Sequence, residues 1–245
     1  MDRHRLTCDG LVKSHGGGFR LGPLSLDVTE GVTCLVGPNG AGKSTFFRLA
    51  AGLEKPTSGT LRLDRSEGAG SGRPAALGYL PQDPELPAGA TCEEFLHYVA
   101  WVHRIPARRR ASAVSGALAL THLSDRATSR IRTLSGGMAR RLGVAQALIH
   151  DPAVLLLDEP TVGLDPRQRI ALRETISAVA VDRIVIVSTH LVEDVRGLAD
   201  RVVILHGGDV VFDGDVPALE GTADPDAPGD TDLERAIAAL MGAPE

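Results

Sequence analysis

Residues 37–45 run Gly37, Pro38, Asn39, Gly40, Ala41, Gly42, Lys43, Ser44 and Thr45, which satisfies G-x-x-x-x-G-K-[ST] without a mismatch. The flanks decide what such a loop can belong to. Residues 32–36 before it are a short apolar run of strand type, and residues 46–51 after it suit a helix. A strand that turns through glycines into a helix indicates α/β architecture, and the turn is an anion site. Glycines let the backbone close on phosphate oxygens, while successive N–H groups and the helix N-terminus supply positive potential. Lys43 is then placed to reach the β- and γ-phosphates of a nucleoside triphosphate, and Ser44 offers a hydroxyl to Mg²⁺, which takes oxygen ligands. A chance GKS in a glycine-rich turn would not bring both flanks with it.

Residues 154–158 are Val154, Leu155, Leu156, Leu157 and Asp158, followed by Glu159 and Pro160. Such a continuous apolar run reads as a central parallel strand buried on both faces. Acids at its carboxyl end fall at the crevice where open α/β sheets bind ligands, so Asp158 is placed to hold the Mg²⁺ shell through water. Glu159, one residue further, is placed to orient a water in line with the γ-phosphate and is the candidate base. Standing alone, the pair also reads as a solvated acidic turn before a proline.

Three weaker features gain meaning from their order. Gln82, after Tyr79, Leu80 and Pro81, would alone be a surface-loop residue or a contact to metal or water. His190 follows the apolar run 184–187, Ser188 and Thr189. A strand there would deliver it to the same sheet edge as the acids, within reach of the γ-phosphate or the attacking water. Ser135, Gly136 and Gly137 open a stretch, residues 135–149, with Leu142, Ala145 and Leu148 at helical spacing and Ser135 placed as N-cap. That N-terminus offers free N–H groups and partial positive charge without a lysine, which makes it a second anion site.

With these motifs in register, residues 6–214 resemble the ATP-binding cassette (ABC) family, specifically a transporter ATPase subunit of the ABC-2 or exporter type. Gln82 is similar to the family's Q-loop glutamine, the run Leu134, Ser135, Gly136, Gly137, Met138 to its signature, the run Gly163, Leu164, Asp165 to its D-loop, and His190 to its switch histidine. The resemblance implies an α/β fold: a P-loop NTPase core with a mixed sheet, an antiparallel β side and an inserted helical subdomain. It implies ATP and Mg²⁺, with Ser44, Gln82 and Asp158 toward the metal and Glu159, His190 and Gln82 in catalysis. It also implies that Ser135, Gly136 and Gly137 contact the γ-phosphate bound by another subunit, with Asp165 orienting that opposite site. Gln82 would link γ-phosphate occupancy to rotation of the helical lobe. Two subunits, a second copy or a homologous ATPase, would close on ATP, reopen after hydrolysis and drive a separate polytopic membrane permease.

The chain departs from the family pattern twice. Met138 stands where the signature usually carries glutamine, which leaves the backbone donors of residues 135–137 in place. The family usually stacks an aromatic ring on adenine; His15 stands at the apparent position, with Phe19 as its competitor across the glycines at 16–18 and a flexible hairpin as the third reading. A neutral imidazole can still stack, and weak base contacts would also admit GTP.

The 245 residues suit one large α/β domain, or a core with a smaller lobe. No apolar run approaches the roughly 18 residues that span a bilayer, and residues 1–5 lack the apolar stretch of a secretory signal. The expected location is the cytoplasmic face of the plasma membrane, peripheral through the permease. A net charge of −5 argues against a nucleic-acid partner, and the local cluster Arg104, Arg108, Arg109 and Arg110 reads as a solvated helix face in preference to a lipid or nucleic-acid site. Cys8, Cys34 and Cys92 have neither metal nor disulfide spacing, consistent with a reducing cytosol.

Residues 6–36 and 60–80 read as strands with tight turns, and 68–74 as a loop containing Gly, Ser and Pro. Thr91 and Glu94 fit a capping box that starts a helix ending before Pro106, and a second helix is expected over residues 107–120. This insertion matches the family's helical lobe, about residues 83–150, whose Q-loop edge usually holds a coupling helix of the membrane partner. Core packing is the favoured reading for most of Phe95, Tyr98 and Trp101, with docking as the alternative. Residues 1–221 are expected to form one ATPase domain, and 222–245 a linker and a short helix at 232–241. The short C-terminal extension and Met138 lean toward export; an importer ATPase and a single-cassette ATPase acting as an assembly scaffold are the alternatives. No residue reports the cargo.

Overall fold

The computed structural model describes residues 4–65 and 76–242. The loop expected over residues 68–74 lies outside the described residues. Strands β1 (His4–Ser14) and β2 (Arg20–Val28) pair antiparallel; β3 (Gly31–Val36) leaves them for a second sheet, and helix α1 (Lys43–Ala50) follows the glycine loop. Strand β4 (Ser58–Arg65) returns to β1, giving a three-stranded antiparallel sheet in the order β2-β1-β4. Along β2, Leu24, Leu26 and Val28 are buried while Ser25 and Asp27 face solvent, the alternation of a sheet with one wet face.

The second sheet joins β3 to β5 (Leu77–Leu80), β6 (Val154–Asp158), β7 (Ile184–Thr189), β8 (Arg201–His206) and β9 (Asp209–Gly214) in the order β5-β6-β7-β3-β8-β9. All neighbours are parallel except β8 and β9. Every residue of β6 and β7 is buried, as their uninterrupted apolar sequences require of strands covered on both faces. Mixed sheet, antiparallel side and helical insertion agree with the fold class expected from sequence.

Helices α2 (Cys92–Val102), α3 (Ala107–Leu120) and α4 (Gly136–Leu148) form the insertion; α5 (Pro166–Val179), α6 (Val192–Leu198), α7 (Val216–Glu220) and α8 (Asp232–Met241) complete the chain. The start of α2 is the capping box expected: Glu94 N–H donates to Thr91 Oγ1 at 3.2 Å, and Thr91 N–H to the Glu94 carboxylate at 2.8 Å. Three cores result. Phe46 and Phe47 of α1 fill the space between the two sheets, each burial contributing about 1.5–3 kcal/mol. The opposite face of the large sheet is covered by α4, α5, α6 and α8. The third core joins α2, α3 and α4.

Helix α4 belongs to two of these cores: Val144, Ala147 and Leu148 pack on the sheet, while Leu142, Ala145 and Ile149, the last at its C-terminal cap, pack on α2 and α3. The helix that begins with Gly136 is therefore clamped between lobe and sheet.

One reading of α2 needs correction. Phe95 is buried, but Tyr98 and Trp101 are 59% and 58% exposed, so two of the three aromatics favoured as core lie on the surface. The helix turns Phe95, Leu96 and Val99 inward and leaves these two rings outside, tilted against each other at 6.0 Å.

Candidate nucleotide site

The glycine loop joins β3 to α1 by a backbone that few residues could follow. Gly42 caps α1 at φ 106°, and a Cβ there would lie 2.6 Å from Leu21 Cδ1. At Gly37 a Cβ would meet the Leu205 carbonyl at 2.5 Å. Lys43, the first residue of α1, is buried, and its ammonium donates to the carbonyls of Gly37 (2.6 Å) and Pro38 (3.1 Å). Burial pushes its pKa below the ordinary lysine value, against the opposing pull of Glu159 and Asp158.

At the end of β6, Asp158 and Glu159 are both buried carboxylates, which is tolerable only because each has partners. Ser188, at the adjoining end of β7, holds both: its hydroxyl donates to Asp158 Oδ1 and accepts the Glu159 N–H at 2.8 Å. Glu159 sits at φ 47°, a left-handed conformation uncommon for a residue with a side chain and recurrent at functional sites. Three groups converge on its carboxylate. Gln82 Nε2 donates to Oε2 at 3.2 Å, His190 Nδ1 lies 3.4 Å from Oε1, and Lys43 Nζ lies 3.9 Å from Oε1. A cavity of about 560 Å³ opens here, bordered by Asn39, Gly40, Gly42, Lys43, Ser44, Thr45, Gln82, Glu159 and Phe19.

The structure thus brings Lys43, Ser44, Gln82, Glu159 and His190 together, with Asp158 attached through Ser188. Phe19, not His15, borders the cavity; His15 stacks on Phe19 with ring centroids 6.2 Å apart. Ser135, Gly136, Gly137 and Asp165 do not border it. Ser135 caps α4, its hydroxyl accepting the Met138 N–H at 3.3 Å, and no acid occupies the first turn. Asp165 caps α5 by accepting the Gln168 N–H at 2.9 Å, while the Gln168 side chain packs on Gly137, where a Cβ would fall 1.9 Å from Oε1. Gly137 and Asp165 are in this way linked through Gln168.

Sequence reasoning missed Ser188, Thr161, Asp194 and Arg140. Arg140, one turn into α4, donates to the Gln82 carbonyl at 2.6 Å and ties α4 to the segment that carries Gln82. Ser188 stood beside Thr189 and His190 in the sequence, but its hydroxyl carries meaning only once β7 is known to lie against β6.

A glycine loop after β3 whose lysine faces an acidic pair at the end of β6, a parallel strand separated from β3 by β7, defines a P-loop nucleoside triphosphatase. The ABC transporter family profile matches residues 21–162. An uncharacterized ABC transporter ATP-binding protein of Bacillus subtilis, YxlF, is 35% identical over 222 residues, spanning 88% of this chain and 72% of the relative. The Nod factor export ATP-binding protein I of Rhizobium leguminosarum bv. viciae is 36% identical over 214 residues, 86% and 69% of the two chains. Among solved structures, an ATP-binding subunit of an ABC transporter superposes with TM-score 0.75 at 26% identity, covering 88% of this chain and 92% of that one. CbiO1 of Clostridium perfringens, part of the ABC transporter complex cbiONQ, gives TM-score 0.75 at 26% identity, covering 88% and 89%. The chain belongs to the ABC transporter family, as an ATP-binding subunit that hydrolyses ATP.

Proposed function

We propose that two such subunits, in the simplest case two copies of this chain, close on ATP and power export through a separate polytopic membrane permease. The observation that carries this reading is the separation, within one chain, of the phosphate loop from the N-terminus of α4. The phosphate loop borders the nucleotide cavity, whereas the N-terminus of α4, capped by Ser135 and free of acids, does not. A helix N-terminus of this kind suits a phosphate presented by another subunit. Asp165, held beside Gly137 through Gln168, would arrive at that opposite site together with the signature.

Within one site, Glu159 orients the attacking water, His190 and Lys43 stand against the γ-phosphate, and Gln82 reports its presence to the helical lobe. The donors fit Mg²⁺: the Ser44 hydroxyl, the Gln82 amide oxygen and Asp158 are hard oxygen ligands, and among the described residues Asp158 bonds the protein only through Oδ1. Among the described residues no cluster of three His, Cys, Asp or Glu side chains is poised for a metal, which suits an ion that draws most of its ligands from water and phosphate. When bound, Mg²⁺ supplies charge neutralisation at the β- and γ-phosphate oxygens. Phe19 is the ring best placed for the base, with His15 stacked behind it.

Among the described residues no helix is long and apolar enough to cross a membrane, so membrane attachment at the cytoplasmic face would come through the permease. A groove of about 570 Å³ between Leu86, Pro87 and Ala90 after the Q-loop and Glu94, Phe95 and Tyr98 of α2 supports docking of a permease segment there. Export is favoured by likeness to Nod factor export ATP-binding proteins. The test is a pulldown of tagged Glu159→Gln protein from detergent-solubilised membranes with ATP and Mg²⁺. Recovery of a polytopic membrane protein is the expected result; recovery of soluble partners alone would move the function to an assembly scaffold.

A further inference from the structure

We propose that Asp194 is a positioning residue for hydrolysis, a buried carboxylate that sets the spacing between Glu159 and His190 through Thr161 and Thr189. Asp194 lies on α6 and is 0% exposed. An isolated carboxylate in such a place is costly, and an apolar side chain would seal the same space, so its partners show what it does. The hydroxyls of Thr161 and Thr189 both donate to Oδ2, the latter at 3.0 Å. Arg173 Nε lies 3.7 Å from Oδ1, and among the described residues neither of those two atoms has a hydrogen-bond partner.

Each partner belongs to a segment that carries a candidate functional group. Thr161, itself fully buried, follows Glu159 by two residues. Thr189 precedes His190, and its hydroxyl also accepts the Leu191 N–H at 3.0 Å, so the chain is held on both sides of the histidine. Arg173 lies on α5, the helix capped by Asp165. One carboxylate therefore bonds the segments bearing Glu159 and His190, with Arg173 of α5 as its ion-pair neighbour, and none of these groups borders the nucleotide cavity. What they fix is the 3.4 Å approach of His190 to Glu159, not contact with ATP. A displacement of about 1 Å in such a pair can cost on the order of 100-fold in rate.

This inference rests on the placing of Glu159 and His190 at the reacting centre. Its test separates kcat from ATP affinity in Thr161→Val, Thr189→Val and their double variant, with Thr161→Ser and Thr189→Ser as conservative controls. Each valine variant should lower kcat about tenfold or more with ATP affinity within about twofold. The serine variants should retain wild-type turnover, and the double variant should lose less than the product of the singles because the hydroxyls share one acceptor. Should the buried carboxylate left short of donors prevent folding, the apolar replacement Thr161→Val, Thr189→Val, Arg173→Met, Asp194→Leu removes the whole network while keeping its volume. It should fold, bind ATP and turn over at least about tenfold more slowly. Folded valine or apolar variants with wild-type kcat would overturn the inference, as would parallel loss of kcat and ATP affinity that serine does not rescue. Glu159→Gln in the same assay tells the two failures apart. If it keeps wild-type turnover, the reacting centre itself is misassigned and the positioning role falls with it; if it loses turnover while the valine variants keep theirs, only the positioning role falls.

Discussion

The side-chain amide of Gln82 donates to the Glu159 carboxylate at 3.2 Å, so the segment leading into the helical lobe is bonded directly to the candidate base. The same glutamine is gripped from the other side, where Arg140 of α4 donates to its carbonyl at 2.6 Å. A movement of α4 therefore has a two-bond route to Glu159, and the reverse holds as well.

Glu159→Gln keeps size and hydrogen-bonding capacity but removes the base. Phosphate release should fall by about 10²–10⁴-fold, the usual worth of a positioned general base, while ATP binding persists. Parallel phosphate-release and nucleotide-binding titrations check this. Turnover at the wild-type rate would remove Glu159 from its role.

The imidazoles of His103 and His150 stack face to face at 3.9 Å and 6° where the end of α2 meets the C-terminal end of α4. Burial holds both below the ordinary histidine value of 6.5, and for His150 the neighbouring His103 adds to this, against the Leu77 carbonyl at 3.1 Å. Below that value the unfolded chain binds protons that the folded one refuses, so stability should fall as pH drops through 6.5 toward the depressed folded values. The caps act in another window. Glu94 and Glu234 are held low by backbone N–H groups, and their contribution is lost only as pH falls below the ordinary glutamate value of 4.5. Melting temperature against pH should slope between pH 7 and 5 in wild type and flatten in His103→Gln, His150→Gln protein.

Tyr98 borders the α2 groove, Trp101 leans against it, and both are exposed, so replacing both with alanine should change stability by no more than about 0.5 kcal/mol. Recovery of the membrane partner from solubilised membranes should nevertheless fall severalfold. Unchanged recovery would place the docking surface elsewhere.

Local chemistry was readable in advance. Helices expected over residues 107–120 and 232–241 are found at Ala107–Leu120 and Asp232–Met241, and the capping box at Thr91 forms because its donors and acceptors are three residues apart. The fully buried β6 followed from an apolar run with no polar interruption before Asp158. Ser188, Thr161 and Asp194 were invisible because their partners lie 29–33 residues away in sequence, or only five along it but across the loop that carries His190. Periodicity on α2 identified a helix, yet it could not say that Tyr98 and Trp101 would stay outside, since apolar residues occupy more than one face of it.

In the proposed dimer the phosphate loop of one subunit and residues 135–137 of another form one site. Lys43→Ala removes the buried ammonium from the loop, and Gly136→Asp puts a negative charge at the α4 N-terminus in a position with no neighbour to clash with, so each protein alone should be nearly inactive while remaining folded. Mixing the two builds dimers in which one intact loop faces one intact signature. ATP turnover against mixing ratio is the direct test: activity should appear only in the mixture and peak near equal proportions, whereas a mixture as inactive as its components would rule out a site shared between subunits.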